Sequence, residues 1–502
     1  MKKLLIITVI LLACVHARAN NIQITNVSVV PANNTIKFDV SWENGWRSGT
    51  LNNWDAAYVF FRIKLVDGNW YSLALSSIGS IIPSGFSVAN NVSSTGIGFG
   101  VFLYRSASGS GNTNITNVEI PFQNNNNSTG AYDIKAFALE MVYVPTAFYY
   151  SGDGLSTNAY TNSYNSNGQS NFTDPLATSN PVSLPLFPNG YNAFYCMKYE
   201  LSQGGYRDFL NSLTYTQQVT HAVAVPSAAA GTYALYNLHR NALKIKTPGV
   251  ASLTPAIFGC DADNDGIFDE QTDGEFIACN YLNWPDHAAY LAWCGLRPLT
   301  EFEFEKACRG VQLPVAGEYA WGNNQISTTI YTLANPNQES ETVSNGSNTI
   351  GNANYLITYP NPPHLGPLRN GVFATPTSSR ITSGGGFYGI MDLSGNLAER
   401  VVTTATTQGQ GFRGKKANVE LSNDGHAYTL GLPVEWPGSN NTGSAGLIDG
   451  TTIANGLIYR GGGLFSNATE LRISHRPVVF NNNNTDRTTM INVGVRGCVT
   501  AP

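Results

Sequence analysis

The chain has 502 residues, too many for one ordinary hydrophobic core, and its length predicts about two to four domains. Hydrophobic residues make up 42% and charged residues only 12%, which predicts a packed interior under a neutral, polar surface. The net charge of −5 supplies no basic field, and no stripe of lysine and arginine occurs, so we expect no nucleic-acid partner.

The first residues have the pattern of a secretory signal peptide. Two lysines precede an apolar run from Leu4 to Ala13, and the small-x-small sequence Ala17-Arg18-Ala19 follows. We therefore expect a signal peptide at residues 1–19, whose apolar run is too short for a permanent transmembrane helix. Because Cys14 follows a lipobox-like sequence, a lipoprotein anchored through Cys14 is the alternative. No later apolar stretch reaches transmembrane length, so we expect a secreted protein or one at the cell surface or outer membrane.

Residues 20–138 alternate between apolar and polar side chains. Every second position is apolar in Ile36–Trp42, Ile97–Leu103 and other short runs, which are separated by turns rich in Asn, Gly and Ser. Short alternating strands with such turns are typical of β-sandwiches. The pattern predicts an antiparallel β-sandwich domain over residues 20–138.

The remainder of the chain is mixed and rich in loops, with three predicted helices. Apolar residues from Tyr206 to Leu213 recur at helical spacing, with Ser202 as N-cap. A second helix is predicted from Pro285 to Cys294. The third begins at the capping box that starts with Thr300 and ends at Gly310. Together with the predicted strands, these helices indicate the α+β class.

Several segments of this remainder form an ordered series. They are EMVYVPTAFYYSGD (140–153), YCMKYELSQGGYRDFLN (195–211), CNYLNWPDHAAYLAWCGLRPLTEFEFEKACRG (279–310), YAWGN (319–323), YGIMDLSGNLAERV (388–401), YRGGGLFSNATELRISHR (459–476) and GVRGC (494–498). These segments resemble, in the same order, the motifs of the formylglycine-generating-enzyme or sulfatase-modifying-factor domain family. Each segment alone is a weak signal, but their order makes a chance match improbable. The resemblance implies an irregular α+β domain over residues 139–502, related to the C-type-lectin-like fold.

The resemblance also implies a chemistry, which two residues of this chain do not support. The enzymes of the family oxidise a substrate cysteine to formylglycine with molecular oxygen, using copper held by two cysteines. Ser466 and Leu471 fall at the positions of those cysteines. Cu(I) prefers soft thiolate ligands, so serine is a poor ligand and leucine is none. We therefore expect neither copper nor the formylglycine-generating activity.

Six cysteines follow Cys14 in the chain, and an even number in an exported protein predicts disulfides. The sequence does not choose among their connectivities. The resemblance implies that Cys308 and Cys498 occupy disulfide positions of the family.

The sharpest metal-binding pattern lies in an insertion near residues 260–279. Carboxylates stand at positions 1, 3, 5 and 9 of an oxygen-rich loop, with a glycine at position 6, as in calcium-binding loops. The predicted calcium ligands are Asp261, Asp263, Asp265, the carbonyl of Ile267, and Asp269. The alternative is a solvated acidic turn held by a Cys260–Cys279 disulfide.

The resemblance implies a second calcium site. The family binds structural calcium through backbone carbonyls and a glutamate, which correspond here to Ser394, Gly395, Leu397 and Glu399. A further family ligand resembles Asn354. The alternative for Glu399 is a buried ion pair with Arg400, Arg460 or Arg496, because either arrangement satisfies a buried carboxylate.

Two functions of different class follow from the sequence. The first is a non-catalytic binding or structural module, stabilised by calcium, whose partner is a peptide, a glycan or an envelope protein. Its predicted ligand surface consists of Arg460, Ser466, Arg472 and Arg476. The alternative is a divergent oxidoreductase of the formylglycine-generating or non-haem iron type, which requires a redox-metal site that the sequence does not reveal.

Overall fold

The structure is a computed structural model. It describes residues 21–65, 67–90, 97–123, 133–166, 169–177, 184–356, 358, 364–430, 436–440, 445–477 and 486–502. The predicted signal peptide and Cys14 lie outside these ranges.

The described residues form an α+β structure in which strands outnumber helices. The first ten strands are β1 (Gln23–Val30), β2 (Thr35–Ser48), β3 (Asn53–Lys64), β4 (Trp70–Ser72), β5 (Leu75–Ser76), β6 (Phe86–Asn90), β7 (Ile97–Gly98), β8 (Val101–Arg105), β9 (Gly109–Pro121) and β10 (Asp133–Val144). The next eight are β11 (Tyr149–Ser151), β12 (Thr161–Ser166), β13 (Gln169–Thr173), β14 (Phe194–Met197), β15 (Leu243–Thr247), β16 (Ile257–Cys260), β17 (Arg297–Pro298) and β18 (Leu333–Ala334). The last seven are β19 (Thr342–Val343), β20 (Ala398–Val402), β21 (Tyr428–Leu430), β22 (Ala445–Leu447), β23 (Leu457–Arg460), β24 (Val493–Gly494) and β25 (Gly497–Thr500).

Five α-helices lie among these strands in the described ranges. They are α1 (Gln203–Leu210), α2 (Tyr215–His221), α3 (Trp284–Trp293), α4 (Glu301–Arg309) and α5 (Thr407–Gln410), and a short 3₁₀ helix covers Arg487–Thr489. None of the helices in this part of the chain is both long enough and apolar enough to cross a bilayer.

Helices α1 and α4 begin after the caps that the sequence predicts, and α3 begins one residue before the predicted Pro285. Ser202 Oγ accepts a hydrogen bond from the backbone N–H of Gly205 at the start of α1. Asn283 and Thr300 form complete capping boxes at the starts of α3 and α4. Helix α2 was not predicted, because its seven residues are mostly polar and lack an apolar stripe.

The largest sheet has eleven strands and runs through both predicted domains. Its order is β1-β2-β3-β10-β14-β25-β17, with β4, β6, β8 and β9 attached at the side. Strand β10 pairs with β3 from Asp133 to Tyr143 and, through its last four residues, with β14. The predicted boundary between residues 138 and 139 therefore falls inside one strand, because that strand has a partner on each side.

An apolar core lies between two groups of N-terminal strands. Side chains from β1, β2 and β9 pack against side chains from β3, β8 and β10, and the rings of Phe38 and Phe61 lie 5.3 Å apart. The strands β2 and β3 are hydrogen-bonded only where they meet, at Arg47–Trp54 and Ser48–Asn53. The alternation in β2 is confirmed, since its apolar residues Ile36 to Trp42 are buried.

The opposite face of β3 and β10 packs on the helices. The rings of Phe60 and Phe137 meet the Trp293 ring edge-on at 5.0 and 4.8 Å. Both faces of β3 are consequently buried, and the N-terminal strands share an interior with the helical part of the chain.

The expectation that the cysteines form disulfides is contradicted by the structure. All six cysteines in the described ranges are buried and carry free thiols, so neither the expected disulfide framework nor a Cys260–Cys279 bridge is present there. Each thiol packs as a small apolar group in the interior, a role that an even cysteine count does not reveal. Cys196 and Cys498 lie opposite each other across β14 and β25.

The burial of the thiols predicts low reactivity in the folded protein. Burial raises the pKa of Cys196 to about 12 and raises the pKa of the other five thiols as well, so few thiolates form near pH 8. We expect less than about one equivalent to react with Ellman's reagent before unfolding and all six after it. Rapid labelling of two or more native thiols would contradict this burial.

Candidate functional site

Three carboxylates of the acidic loop come together after β16. One oxygen each from Asp261, Asp263 and Asp265 lies within 4.8 Å of the others. The loop turns sharply because Asn264 and Gly266 adopt left-handed backbone conformations, with φ of 63° and 84°. The alternate acidic residues can therefore face one point, as the sequence predicts.

Hydrogen bonds within the loop hold this arrangement. The backbone N–H of Asp265 donates to Asp263, and that of Ile267 donates to Asp265 at 2.7 Å. The Thr272 hydroxyl donates to the second Asp263 oxygen at 2.7 Å. Each bond uses one lone pair of a carboxylate oxygen and leaves others available to a cation.

Asp261 is the buried member of the group. Its Oδ2 accepts a hydrogen bond of 2.7 Å from Lys244 Nζ, which also donates to Asn264, whereas its Oδ1 has no hydrogen-bond partner. Lys244 thus offsets part of the negative charge but leaves one buried oxygen unsatisfied. An unpaired buried oxygen is costly, and a bound cation would relieve that cost.

Asp273 is a candidate ligand that the loop template did not identify. Its buried Oδ2 accepts a hydrogen bond from the backbone N–H of Glu270, and its Oδ1 has no partner. Burial, with added repulsion from Asp263 and Asp261, raises the pKa of Asp273 to about 6. The template examines position 12, which is Thr272, so it passes over the carboxylate one residue later.

The structure does not bring Asp269 into this group. Its carboxylate instead accepts hydrogen bonds from the Cys260 backbone N–H, Arg207 and Lys246, each at 2.9 Å. Asp269 therefore closes the loop against the body of the protein. The Ile267 side chain is exposed, as expected of a residue that would contribute only its carbonyl.

The second predicted calcium site surrounds Glu399 on β20. Glu399 Oε1 accepts a hydrogen bond of 2.9 Å from Arg496, and its buried Oε2 has no partner. Burial, opposed by Arg496, raises the pKa of Glu399 to about 7. The expected ion pair is thus formed with Arg496, while Arg400 and Arg460 do not pair with Glu399.

Besides Glu399 Oε2, the segments of the predicted second calcium site contain one more unpaired buried oxygen, on Asn354. Gly395 packs so closely on Asn354 that a Cβ at Gly395 would lie 2.8 Å from the Asn354 carbonyl oxygen. The Asn354 side-chain oxygen is buried and has no hydrogen-bond partner. Ser394 donates its hydroxyl proton to the Leu471 carbonyl, and the Leu397 N–H donates to Glu200. Unpaired carboxylate and amide oxygens are ligands that calcium prefers.

The two positions that would carry copper-binding cysteines have other partners here. Ser466 Oγ accepts hydrogen bonds from the Gly463 N–H at 3.1 Å and from Asn492 at 3.3 Å. Leu471 is fully buried in a cluster with Tyr319, Trp321, Ala353 and Tyr355. The six described cysteines lie in two other clusters of the interior.

Comparison with models of protein families identifies the family of this chain. Residues 140–501 match the model of the sulfatase-modifying factor enzyme 1-like domain. The chain belongs to the sulfatase-modifying factor family. A search of curated proteins finds no match.

In this member of the sulfatase-modifying factor family, two of the four predicted binding residues are held in a buried network. Arg460 donates to Glu301 and Glu305, and Arg476 donates to Glu301 and Asp174, all without solvent exposure of the side chains. Their guanidinium groups are therefore engaged inside the protein. Ser466 is almost buried, whereas Arg472 is partly exposed, and the Nε atom of Arg472 has no partner.

Loss of one network arginine should destabilise the fold. Arg460→Met leaves the buried carboxylates of Glu301 and Glu305 with one cation fewer, which typically costs about 3–5 kcal/mol. We expect urea unfolding to show a loss of this size. The matched change Arg472→Met, at a partly exposed arginine outside the network, should cost less than about 1 kcal/mol. Equal effects of the two changes would contradict the structural role of Arg460.

The acidic loop should bind calcium and gain stability from it. At a free calcium concentration 100 times Kd, one site adds about 2.7 kcal/mol to the free energy of unfolding. Asp263→Asn/Asp265→Asn removes two charges but keeps oxygen atoms for the turn, so the variant should fold and lose this increment. Thermal melts with calcium and with EDTA, together with metal analysis, measure both effects.

The control for this comparison is Asp424→Asn, at an exposed aspartate outside both candidate sites. Asp424→Asn should keep the full calcium response of the unchanged protein. If the loop variant responds to calcium as strongly as this control, the acidic loop is not a calcium site.

Proposed function

We propose that this member of the sulfatase-modifying factor family is an exported, non-catalytic binding or structural module that calcium stabilises. The observation that carries the proposal is the pair Ser466 and Leu471 at the positions where the resembled enzymes hold copper. Serine offers a hard oxygen and leucine offers no ligand atom, so the pair does not suit Cu(I).

The surroundings of both residues support this proposal. The Ser466 hydroxyl is tied to the Gly463 backbone and to Asn492, and Leu471 fills an apolar cluster. A cysteine from elsewhere would have to leave its buried position to reach them. Formylglycine formation needs a reactive thiolate on the metal, and buried thiols with raised pKa values rarely ionise.

The proposed calcium binding is consistent with the proposed export. Extracellular calcium modules work with dissociation constants of about 10⁻⁴–10⁻³ M, so a loop with modest affinity would be filled outside the cell. The signal-peptide pattern at residues 1–19 favours that compartment. The unpaired oxygens of Asp261, Asp273 and Glu399 give a cation a role in stability without a role in catalysis.

The fold of the N-terminal region and that of the family domain are part of the same proposal. The N-terminal strands pack around one apolar core, which favours a β-sandwich fused to the family domain. The family domain has few helices and many short strands, which suits a C-type-lectin-related fold with long, variable loops. Such loops are frequent carriers of binding surfaces.

The partner surface that we propose lies around Arg472. A Cβ at Gly317 would lie 3.3 Å from the Arg472 guanidinium carbon and 3.2 Å from the Leu155 side chain, so these groups adjoin. Leu155 exposes 59% of its surface, and Leu313 and Val315, shortly before Gly317 in the chain, expose 70% and 42%. Exposed apolar groups beside a cation suit a peptide segment with apolar and acidic side chains, contributed by an envelope protein. A glycan is the other partner class.

Copper loading tests the proposal directly. The unchanged protein should retain less than about 0.1 equivalent of copper after incubation with Cu(I) and a weak chelator, because no thiol pair is available to hold it. Ser466→Cys/Leu471→Cys restores the thiol pair and should retain about one equivalent. This variant shows that the assay detects the site when its ligands are present.

A second readout separates copper binding from catalysis. Neither loaded nor unloaded protein should convert a cysteine peptide to formylglycine, as followed by mass spectrometry of the peptide. Stoichiometric copper in the unchanged protein, together with peptide oxidation, would sink the proposal and establish the oxidoreductase alternative.

A further inference from the structure

Arg400 is a buried cation without an anionic partner. It lies on β20, has no exposed surface, and its Nε and Nη1 atoms have no hydrogen-bond partners. Its remaining nitrogen contacts only the sulfur of Met490, at 3.0 Å. Thioether sulfur is a weak acceptor, so the guanidinium group is nearly unsatisfied.

His287 on α3 lies within electrostatic range of Arg400 and is also unsatisfied. Its side chain is fully buried, and neither ring nitrogen has a hydrogen-bond partner. Burial and the neighbouring charge of Arg400 hold the pKa of His287 well below its ordinary value. The imidazole is therefore neutral and offers one N–H donor that no group among the described residues accepts.

Each of the two groups has an aromatic neighbour. The Tyr459 ring lies 5.6 Å from the Arg400 guanidinium carbon, and the Trp284 ring lies 5.2 Å from the imidazole of His287. A cation–π contact at the outer limit of its range is weaker than the cost of removing a guanidinium from water. Tyr459 therefore does not compensate the buried charge.

Nearby carboxylates are engaged elsewhere. Asp286, next to His287 in the chain, binds His221 and Arg487. Glu399, next to Arg400, points to the other face of β20 and pairs with Arg496. Within the described residues no ion pair includes Arg400, so the protein itself supplies no counter-charge.

We propose that Arg400 and His287 form an internal binding site for one small monovalent anion, a halide or a small carboxylate. One guanidinium carries one positive charge, so a single negative charge balances it when the imidazole is neutral. The unpaired N–H groups of Arg400 and the imidazole N–H are the donors that such an anion accepts. Complete burial of both side chains restricts the occupant to a small ion. This site is separate from the calcium and copper chemistry discussed above and does not depend on the proposed function.

The test compares sodium salts of chloride, formate and isethionate at equal ionic strength, with isethionate as the anion too large to enter. We expect the melting temperature of the unchanged protein to be at least about 3 °C higher in chloride or formate than in isethionate. A rise in chloride alone identifies a halide site, and a rise in formate alone identifies a carboxylate site. Equal melting temperatures in the three salts would overturn the proposal.

Two variants separate the site from general salt effects. Arg400→Met removes the charge while keeping an unbranched apolar side chain, and it should lose the difference between the salts. Arg413→Met removes a partly exposed arginine that donates to the Gln410 carbonyl, outside every site discussed above, and should keep that difference in full. If both variants keep it, the anions act at another place and the proposal is wrong.

A direct measurement covers the case in which Arg400→Met does not fold. Crystals of the unchanged protein grown with bromide should show one anomalous scatterer within hydrogen-bonding distance of Arg400 and His287. Absence of bromide from this position would overturn the proposal. A bromide peak without any melting shift in solution would show binding at crystal concentration only, and would also overturn it.

Discussion

The carboxylate of Glu301 joins Arg460 and Arg476 in a region where none of the three side chains reaches solvent. This shared contact fixes the start of α4 against the segment that carries Ser466 and Leu471. Arg460 continues the network to Glu305 on the next turn of the same helix. Because any unpaired member would be a buried charge, the network forces several distant segments into one arrangement.

Many of the chain's few charged residues lie in its interior. Six arginines are among the largest fully buried side chains: Arg297, Arg309, Arg400, Arg460, Arg476 and Arg496. Charged side chains that are buried inside the protein contribute no charge to its surface. The surface is consequently dominated by neutral polar groups. Five of the six arginines form ion pairs with carboxylates, whereas Arg400 forms none within the described residues.

Local features could be predicted from the sequence, whereas pairings between distant segments could not. The capping box at Thr300 depends on residues three positions apart, so helix α4 could be predicted. The family relationship followed from ordered motifs and is confirmed over residues 140–501. Strand β10 continues across the predicted boundary because it pairs with β3 up to Tyr143 and with β14 from Met141 onward, and alternation alone cannot report these distant partners. Asp273 was missed for a related reason, since only the fold buries its carboxylate beside Asp261 and Asp263.

The position of β25 between β14 and β17 has a consequence for how the chain folds. Residues 497–500 insert between β14 and β17, and β14 in turn pairs with β10 from the N-terminal region. The sheet that begins at residue 23 is therefore incomplete until residues 497–500 are free to pair with β14 and β17. Until then β14 presents an open edge, and open edges invite pairing with other chains. A nascent chain of this protein thus has a long vulnerable interval, during which a holding chaperone would have a clear binding target.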